Sequence, residues 1–224
     1  MKPSKILNYG MRVLALVLIS FSVFSWFTGP PDYTGVTLGM AFAFTDMNFD
    51  DYPESMGGFA SVAYIGFIPE IETFPTRNSN PGTNEEAIKL LGSYAMKNTK
   101  KFIEVYVTPE TFGATAENQG EIDGRSFKIK GEIFYPGTQA DCLAFCRKIN
   151  NARGVIIGVD PNTGVRYNFG EQYLPVRFKP KVDFGKGPAD RRGATIEWEC
   201  DSFAPAWVYE GSIPLSAGTL PAVS

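Results

Sequence analysis

The stretch GTQADCLAFCRKINNARGVIIGVDPNTGVRYNFG, residues 137–170, decides the fold. It reads as one amphipathic helix followed by one β-hairpin. Thr138 is placed to cap the helix N-terminus, and Asp141 three residues on completes a capping-box pattern. Cys142, Phe145, Cys146, Ile149 and Ala152 recur at helical spacing and form one apolar stripe. Arg147, Lys148 and Arg153 sit toward the far end, where positive charge suits the helix dipole. Gly154 reads as the helix stop, because glycine takes the left-handed conformation at little cost. The apolar run 155–159, a turn over 161–164 and a second strand over 165–169 follow. A helix with one apolar face needs a sheet to lie on, and the flanking strands must supply it.

Composition narrows the class. The 224 residues include 23 Gly and 16 Pro, with abundant aromatic residues and few long helical patterns, which favours β structure with many turns. The formal net charge of -3 argues against a broad basic surface for nucleic acid. There is no histidine, which removes the commonest general base, the commonest zinc ligand and the Ser-His-Asp constellation together. The three cysteines, Cys142, Cys146 and Cys200, all fall at apolar positions and read as reduced, buried thiols.

The N-terminal part differs from the rest. Lys2, Lys5 and Arg12 precede an uncharged apolar run over 13–27. Residues 1–39 therefore read as a hydrophobic leader with two explanations: a secretory signal or short membrane anchor, or an extension upstream of a true start at Met40. Residues 40–58 (MAFAFTDMNFDDYPESMGG) read as an arm in which Asp46, Asp50, Asp51 and Glu54 form a solvated acidic cluster, without the Gly and terminal Glu of an EF-hand loop. FASVAYIGFI (59–68) is the first core strand, and residues 70–74 extend it or pair with it. PTRNSNPGTN (75–84) is a loop. Thr83 with Glu86 makes a capping box, opening a short helix with Ile88, Leu91 and Ala95 on its apolar stripe through Lys97.

Strong strands follow. KFIEVYVT (101–108) sets Ile103, Val105 and Val107 on one face and Phe102, Glu104 and Tyr106 on the other. PETFGATAENQGEIDG (109–124) reads as a long polar loop. Residues 125–134 alternate Phe127, Ile129 and Ile133 with Lys128, Lys130 and Glu132. After the helix-hairpin unit, a Gly/Pro-rich crossing runs over 172–192 with strand-like pieces at 176–178. ATIEWEC (194–200) sets Ile196, Trp198 and Cys200 opposite Thr195, Glu197 and Glu199. Residues 207–209 read as a final edge piece, and the Pro/Gly-rich tail from 214 on as poorly ordered unless a partner holds it. The fold class is mainly β (α+β): a β-sandwich or barrel with a flanking α-helix over 59–213.

Motifs for chemistry are sparse. No Walker-type loop is present, and no metal or cofactor site is expected. Asp-Phe-Gly at 183–185 stands without the other kinase elements and reads as chance. Glu104, Glu132, Glu197 and Glu199 occupy the outward faces of their strands. They read as solvated strand faces; a glycosidase-like acid–base pair is the enzymatic alternative. If these carboxylates share one sheet face, that face lines a wet channel past which a phosphate backbone slides without sticking.

Taken in order, KKFIEVYV (100–107), the Gly/Asn/Gln-containing loop, FKIKGEIF (127–134), the flanking helix, VIIGVDPNTGVRYNFG (155–170) and ATIEWECDSFAPAW (194–207) resemble the tail tube (major tail) proteins of tailed bacteriophages. The likeness is closest to those from phages and prophages of Bacteroidetes hosts, and covers about residues 56–213. The resemblance implies a β-sandwich with a flanking helix, assembly into hexameric rings, and stacking of the rings into a tube that conducts the genome during ejection. It implies ring stacking through the loop over 109–124, with Pro109, Asn118, Gln119 and Gly124 as candidate contacts. Its implied partners are further copies of the chain, the tape measure, tail terminator and baseplate or tip proteins, and DNA passing non-specifically. Its implied location is the virion tail, assembled in the host cytoplasm. The helix expected within 78–97 and the leader are additions to the family pattern.

Two function classes are carried forward, neither an enzyme. One is a self-assembling virion protein. The other is a membrane-anchored or secreted β-domain of a bacterial envelope, motivated by the leader, through which alone a membrane becomes a partner.

Overall fold

The computed structural model describes residues 57–216 and 218–222. The leader, the arm before Gly57 and its acidic residues Asp46, Asp50, Asp51 and Glu54 lie outside the described residues. The described chain is mainly β, with one large mixed sheet and two helices, as expected of a β-sandwich or barrel with a flanking helix.

The sheet folds over on itself. Its first layer sets β3 (Thr76–Arg77), β4 (Lys89–Leu91), β13 (Trp207–Tyr209), β10 (Arg166–Phe169), β9 (Arg153–Val159), β1 (Val62–Phe67) and β6 (Ile103–Tyr106) side by side. Its second layer is the antiparallel run β11 (Val176–Asp183), β12 (Gly193–Ser202), β8 (Ser126–Pro136) and β7 (Gly113–Gln119). The strand ladder passes from one layer to the other where Val176 and Arg177 pair with Gly154 and Arg153, and at the far side a backbone bond from the Thr108 N–H to the Phe134 carbonyl, at 3.0 Å, joins the end of β6 to β8. At that corner β1, β9 and β11 crowd together, and a Cβ on Gly154 would meet the Gly66 carbonyl oxygen at 2.5 Å. Gly154 is therefore a close-approach glycine inside β9, not a helix stop.

Period-2 alternation builds the core between the layers. Ala63, Ile65 and Phe67 of β1 and Ile156 of β9 face Ile129, Ile133, Phe178, Ile196, Trp198 and Cys200 of the second layer. Each fully buried Ile contributes roughly 1.5–3 kcal/mol of transfer free energy. Trp198 lies across Gly131, where a Cβ would meet its ring at 2.3 Å. A second core covers the outward face of the first layer. There Tyr64, Val155 and Ile157 pack under Ile71, Tyr94, Phe102, Tyr209, Ile213 and Leu215. The two outward faces thus differ: the first layer's is roofed by protein, while on the second layer's the outward residues Lys130, Glu132, Lys179 and Glu197 are exposed.

Helix α2 (Ala140–Ile149) buries Cys142, Cys146 and Ile149. Ile149 joins the main core, and the two cysteines meet Ala194. The helix thus packs on the inward side, and among the described residues nothing covers the second layer's outward face. Its N-cap is Gln139, without a side-chain cap, so the expected Thr138–Asp141 capping box does not form; the helix starts one residue late for it. Its end is set by Asn150 and by Asn151, whose φ is 66°. Asparagine tolerates this left-handed region, so the helix ends before Gly154 is reached.

Other expectations are corrected. Thr83 does cap α1, accepting from the Glu86 N–H at 3.2 Å, but α1 spans only Asn84–Ala87. Gly92 at φ 90° then turns the chain between β4 and β5 (Ala95–Met96), so Ile88, Leu91 and Ala95 share no helix. Residues 71–73 form β2 (Ile71–Thr73), which pairs with β5 and not with β1. The polar loop at 109–124 contains β7, a full strand. The crossing at 172–192 contains β11, a strand of 8 residues. β13 is no edge: it pairs with β10 and, in parallel, with β4. The tail folds into β14 (Ile213–Leu215) and β15 (Gly218–Leu220). Ile213 and Leu215 enter the second core, and the Pro214 carbonyl accepts the Phe102 N–H at 2.9 Å.

Candidate functional site

The bare outward face of the second layer is where the expected site residues gather. Strand alternation puts Glu197, Glu199 and Asp201 in one row on β12. Register then places Lys179 and Arg177 of β11 opposite Glu197 and Glu199. On the other side Glu132, Lys130 and Lys128 of β8 stand opposite Glu197, Glu199 and Asp201. β7 closes the face, with Glu117 opposite Lys128 and Thr115 opposite Lys130. The result is a charge ladder: basic β11, acidic β12, mixed β8, acidic β7. Opposite charges facing one another across strands favour this register, weakly where the pair is fully exposed to water.

The ladder is occupied. Lys179 reaches Glu199 at 3.0 Å, Lys128 approaches Glu199 at 3.8 Å, and Lys130 bridges to Glu117 at 2.9 Å. The Gln119 amide donates to Asp201 at 2.8 Å. The Lys179 hydrogen bond holds the Glu199 carboxyl below the usual carboxylate range, with Lys128 adding to it. The Lys130 hydrogen bond does the same for Glu117. Glu132 and Glu197 are the exception. They stand directly opposite one another, and among the described residues neither has an ion-pair partner. They flank a shallow concavity of about 610 Å³, also lined by Lys130, Lys179 and Glu199.

Three of the four expected carboxylates therefore share a face. Glu104 does not join them. It lies on β6, opposite Tyr64 of β1, on the outward side of the first layer. Nor is the shared face a uniformly negative wall, because Lys128, Lys130, Arg177 and Lys179 interleave with the acids. The row on β11 was missed in the sequence, although VRFKPKVD alternates cleanly; its Pro and the flanking Gly/Pro residues masked the strand.

The expected contact residues of 109–124 are dispersed. Pro109 opens a turn in which the Thr111 N–H donates to the Thr108 carbonyl at 3.2 Å. Asn118 and Gln119 end β7, opposite Phe127 and Ser126. Gly124 lies in the β7–β8 tip, its N–H donating to the Glu121 carbonyl at 3.1 Å. β7 pairs only with β8, so its second edge has no strand partner among the described residues.

The cysteines offer no nucleophile. All three are free and buried; burial pushes the Cys146 thiol up to about 11 and the Cys200 thiol to about 12. Among the described residues no group of three or more His, Cys, Asp or Glu is arranged to hold a metal ion, and no helix is long and apolar enough to cross a membrane. The Asp-Phe-Gly triplet serves a turn: Asp183 Oδ1 accepts the Gly185 N–H at 2.9 Å.

Comparison with protein families, with curated proteins and with solved structures found no significant match to this chain.

Proposed function

We propose that the chain is an architectural protein that assembles side by side into rings, which stack into a tube of the bacteriophage tail type, and that the ladder face of the second layer lines the lumen. The observation that carries this reading is the asymmetry between the two outward faces. One is roofed by a second hydrophobic core, whereas the other, among the described residues, is an uncovered charge ladder ending at an edge of β7 that has no strand partner. An edge strand without Pro, Lys or bulge is a template for pairing with another chain, and natural monomers blunt such edges. β7 (GATAENQ) has no Pro, Lys or bulge, and its single charged side chain, Glu117, is held by Lys130 of β8. From Phe178 to Asp183, β11 likewise has a strand on one side only. Copies that set β7 of one beside β11 of the next continue the sheet from subunit to subunit, and a sheet that closes has no edges left. A lumen of balanced charge neither grips nor strongly repels a phosphate backbone, which suits non-specific passage of DNA.

The role is structural and not enzymatic, with hexameric rings and a virion location following from the resemblance noted above. The basic and apolar leader favours a second reading, a bacterial envelope β-domain held at a membrane. Light scattering on the full chain over a rising concentration series separates them. Growth to the mass of closed multi-subunit rings is expected. A mass fixed at that of one chain would contradict assembly and favour the envelope reading.

A further inference from the structure

The second layer carries complementary tips at its two ends. The β7–β8 turn leaves the sheet beside the Gln119–Ser126 pair. The β11–β12 turn leaves it beside the Asp183–Gly193 pair, at the opposite end of β12 and β8. β8, which spans 11 residues, separates the two tips by about 35 Å at roughly 3.3 Å per residue.

Both tips are preformed, and each shows an exposed hydrophobe. Ile122 is 76% exposed at the first, and Phe184 is 65% exposed at the second. Around Ile122 stand Glu121 and Asp123, with Arg125 closing the turn as its single base, and with Asp123 at φ 69° and Gly120 at φ 100° shaping it. Around Phe184 stand Lys186, Arg191 and Arg192. The two acids at that tip, Asp183 and Asp190, both accept backbone N–H groups of the turn: Asp183 from Gly185 at 2.9 Å, and Asp190 from Lys186 and Gly187 at 2.7 and 2.8 Å. Arg191 lies over the Phe134 ring at 3.5 Å, and Lys186 and Arg192 are exposed. One end of the layer is thus acidic around an aliphatic knob, and the other is basic around an aromatic one.

We propose that the β7–β8 tip of one copy docks on the β11–β12 tip of the next, Ile122 against Phe184, with Glu121 and Asp123 facing Lys186 and Arg192. The contact rests on the tube reading and specifies how rings stack. It is heterologous, so it repeats without limit along one axis and gives the stack a polarity. Opposite charges also steer the tips together and disfavour inverted stacking, in which like tips meet.

The test is a charge swap in the full chain, read as tube length by negative-stain microscopy, with folding checked by far-UV circular dichroism. Glu121→Lys with Asp123→Lys is expected to shorten tubes at least tenfold and leave rings. Lys186→Glu with Arg192→Glu is expected to do the same. All four changes in one chain are expected to restore the tubes. As a second measurement, a short bismaleimide should link Ile122→Cys of one copy to Phe184→Cys of another. Tubes of unchanged length in either reversal, or no recovery in the fourfold variant, overturns the pairing and leaves the tube reading standing. A wild-type chain that forms neither rings nor tubes removes both.

Discussion

At Gly154 a single added methyl group meets the Gly66 carbonyl oxygen at 2.5 Å and the Phe178 ring at 3.0 Å. Backbone cannot yield there without moving β1 away from β9. Gly154→Ala is expected to destabilise the fold by about 1–3 kcal/mol, measured as a lower denaturant midpoint at constant slope. A comparable loss is expected at Tyr94, whose hydroxyl donates to the buried Asn168 Oδ1 at 2.9 Å. Tyr94→Phe strands that oxygen and costs about 1–3 kcal/mol. On the ladder face, Glu199 titrates below its ordinary range because Lys179 hydrogen-bonds it. Its folded midpoint lies below the unfolded one, so the stabilisation is present above the unfolded midpoint and is lost as pH falls through the folded one. Lys179→Met is expected to raise the Glu199 midpoint, followed by NMR titration of the carboxyl carbon. At this scale the sequence was informative wherever alternation ruled: Glu132, Glu197 and Glu199 did face outward together. It was silent on Gly154 and Asn168, whose roles are set by neighbours distant in the chain, Gly66 and Tyr94.

Among elements, β7 departs furthest from its local signal. GATAENQ has little β propensity, and the residues read as a loop. Its strand is templated by β8, with Ala114 and Ala116 turned toward the core opposite Gly131 and Ile129. Propensity yields to pairing and packing in such cases. β11 was hidden for a related reason: Pro180 is tolerated because β11 has a strand on only one side there. By contrast α2 and the β9–β10 hairpin were legible, since a helical stripe and a Pro-Asn-Thr-Gly turn are local features. The role of β7 changes what a deletion tests. Removing 109–124 takes away Phe112, only 3% exposed, together with Ala114 and Ala116. It is expected to destabilise the domain by about 3–5 kcal/mol or more, seen as a collapsed melting transition. Ile122→Ser, confined to the exposed tip, is expected to stay within about 0.5 kcal/mol of wild type by the same measurement.

For the whole molecule, the distribution of cover is the organising fact. Protein closes the outward face of the first layer with β2, β5, β14 and the segments between them, and α2 packs on the inward side. What remains open among the described residues is one four-stranded face with a charge ladder, an edge without a strand partner and two tips of opposite character. The mainly-β class and the single flanking helix could be read from residues 137–170 and their flanking strands. The roof over the first layer could not, because it is built from segments that looked like loop, weak helix and tail. Negative-stain microscopy of the concentrated full chain tests the assembly claim most directly. Hollow rings and polar tubes of uniform diameter are expected, and a field of single particles of one-chain size at every concentration would contradict it.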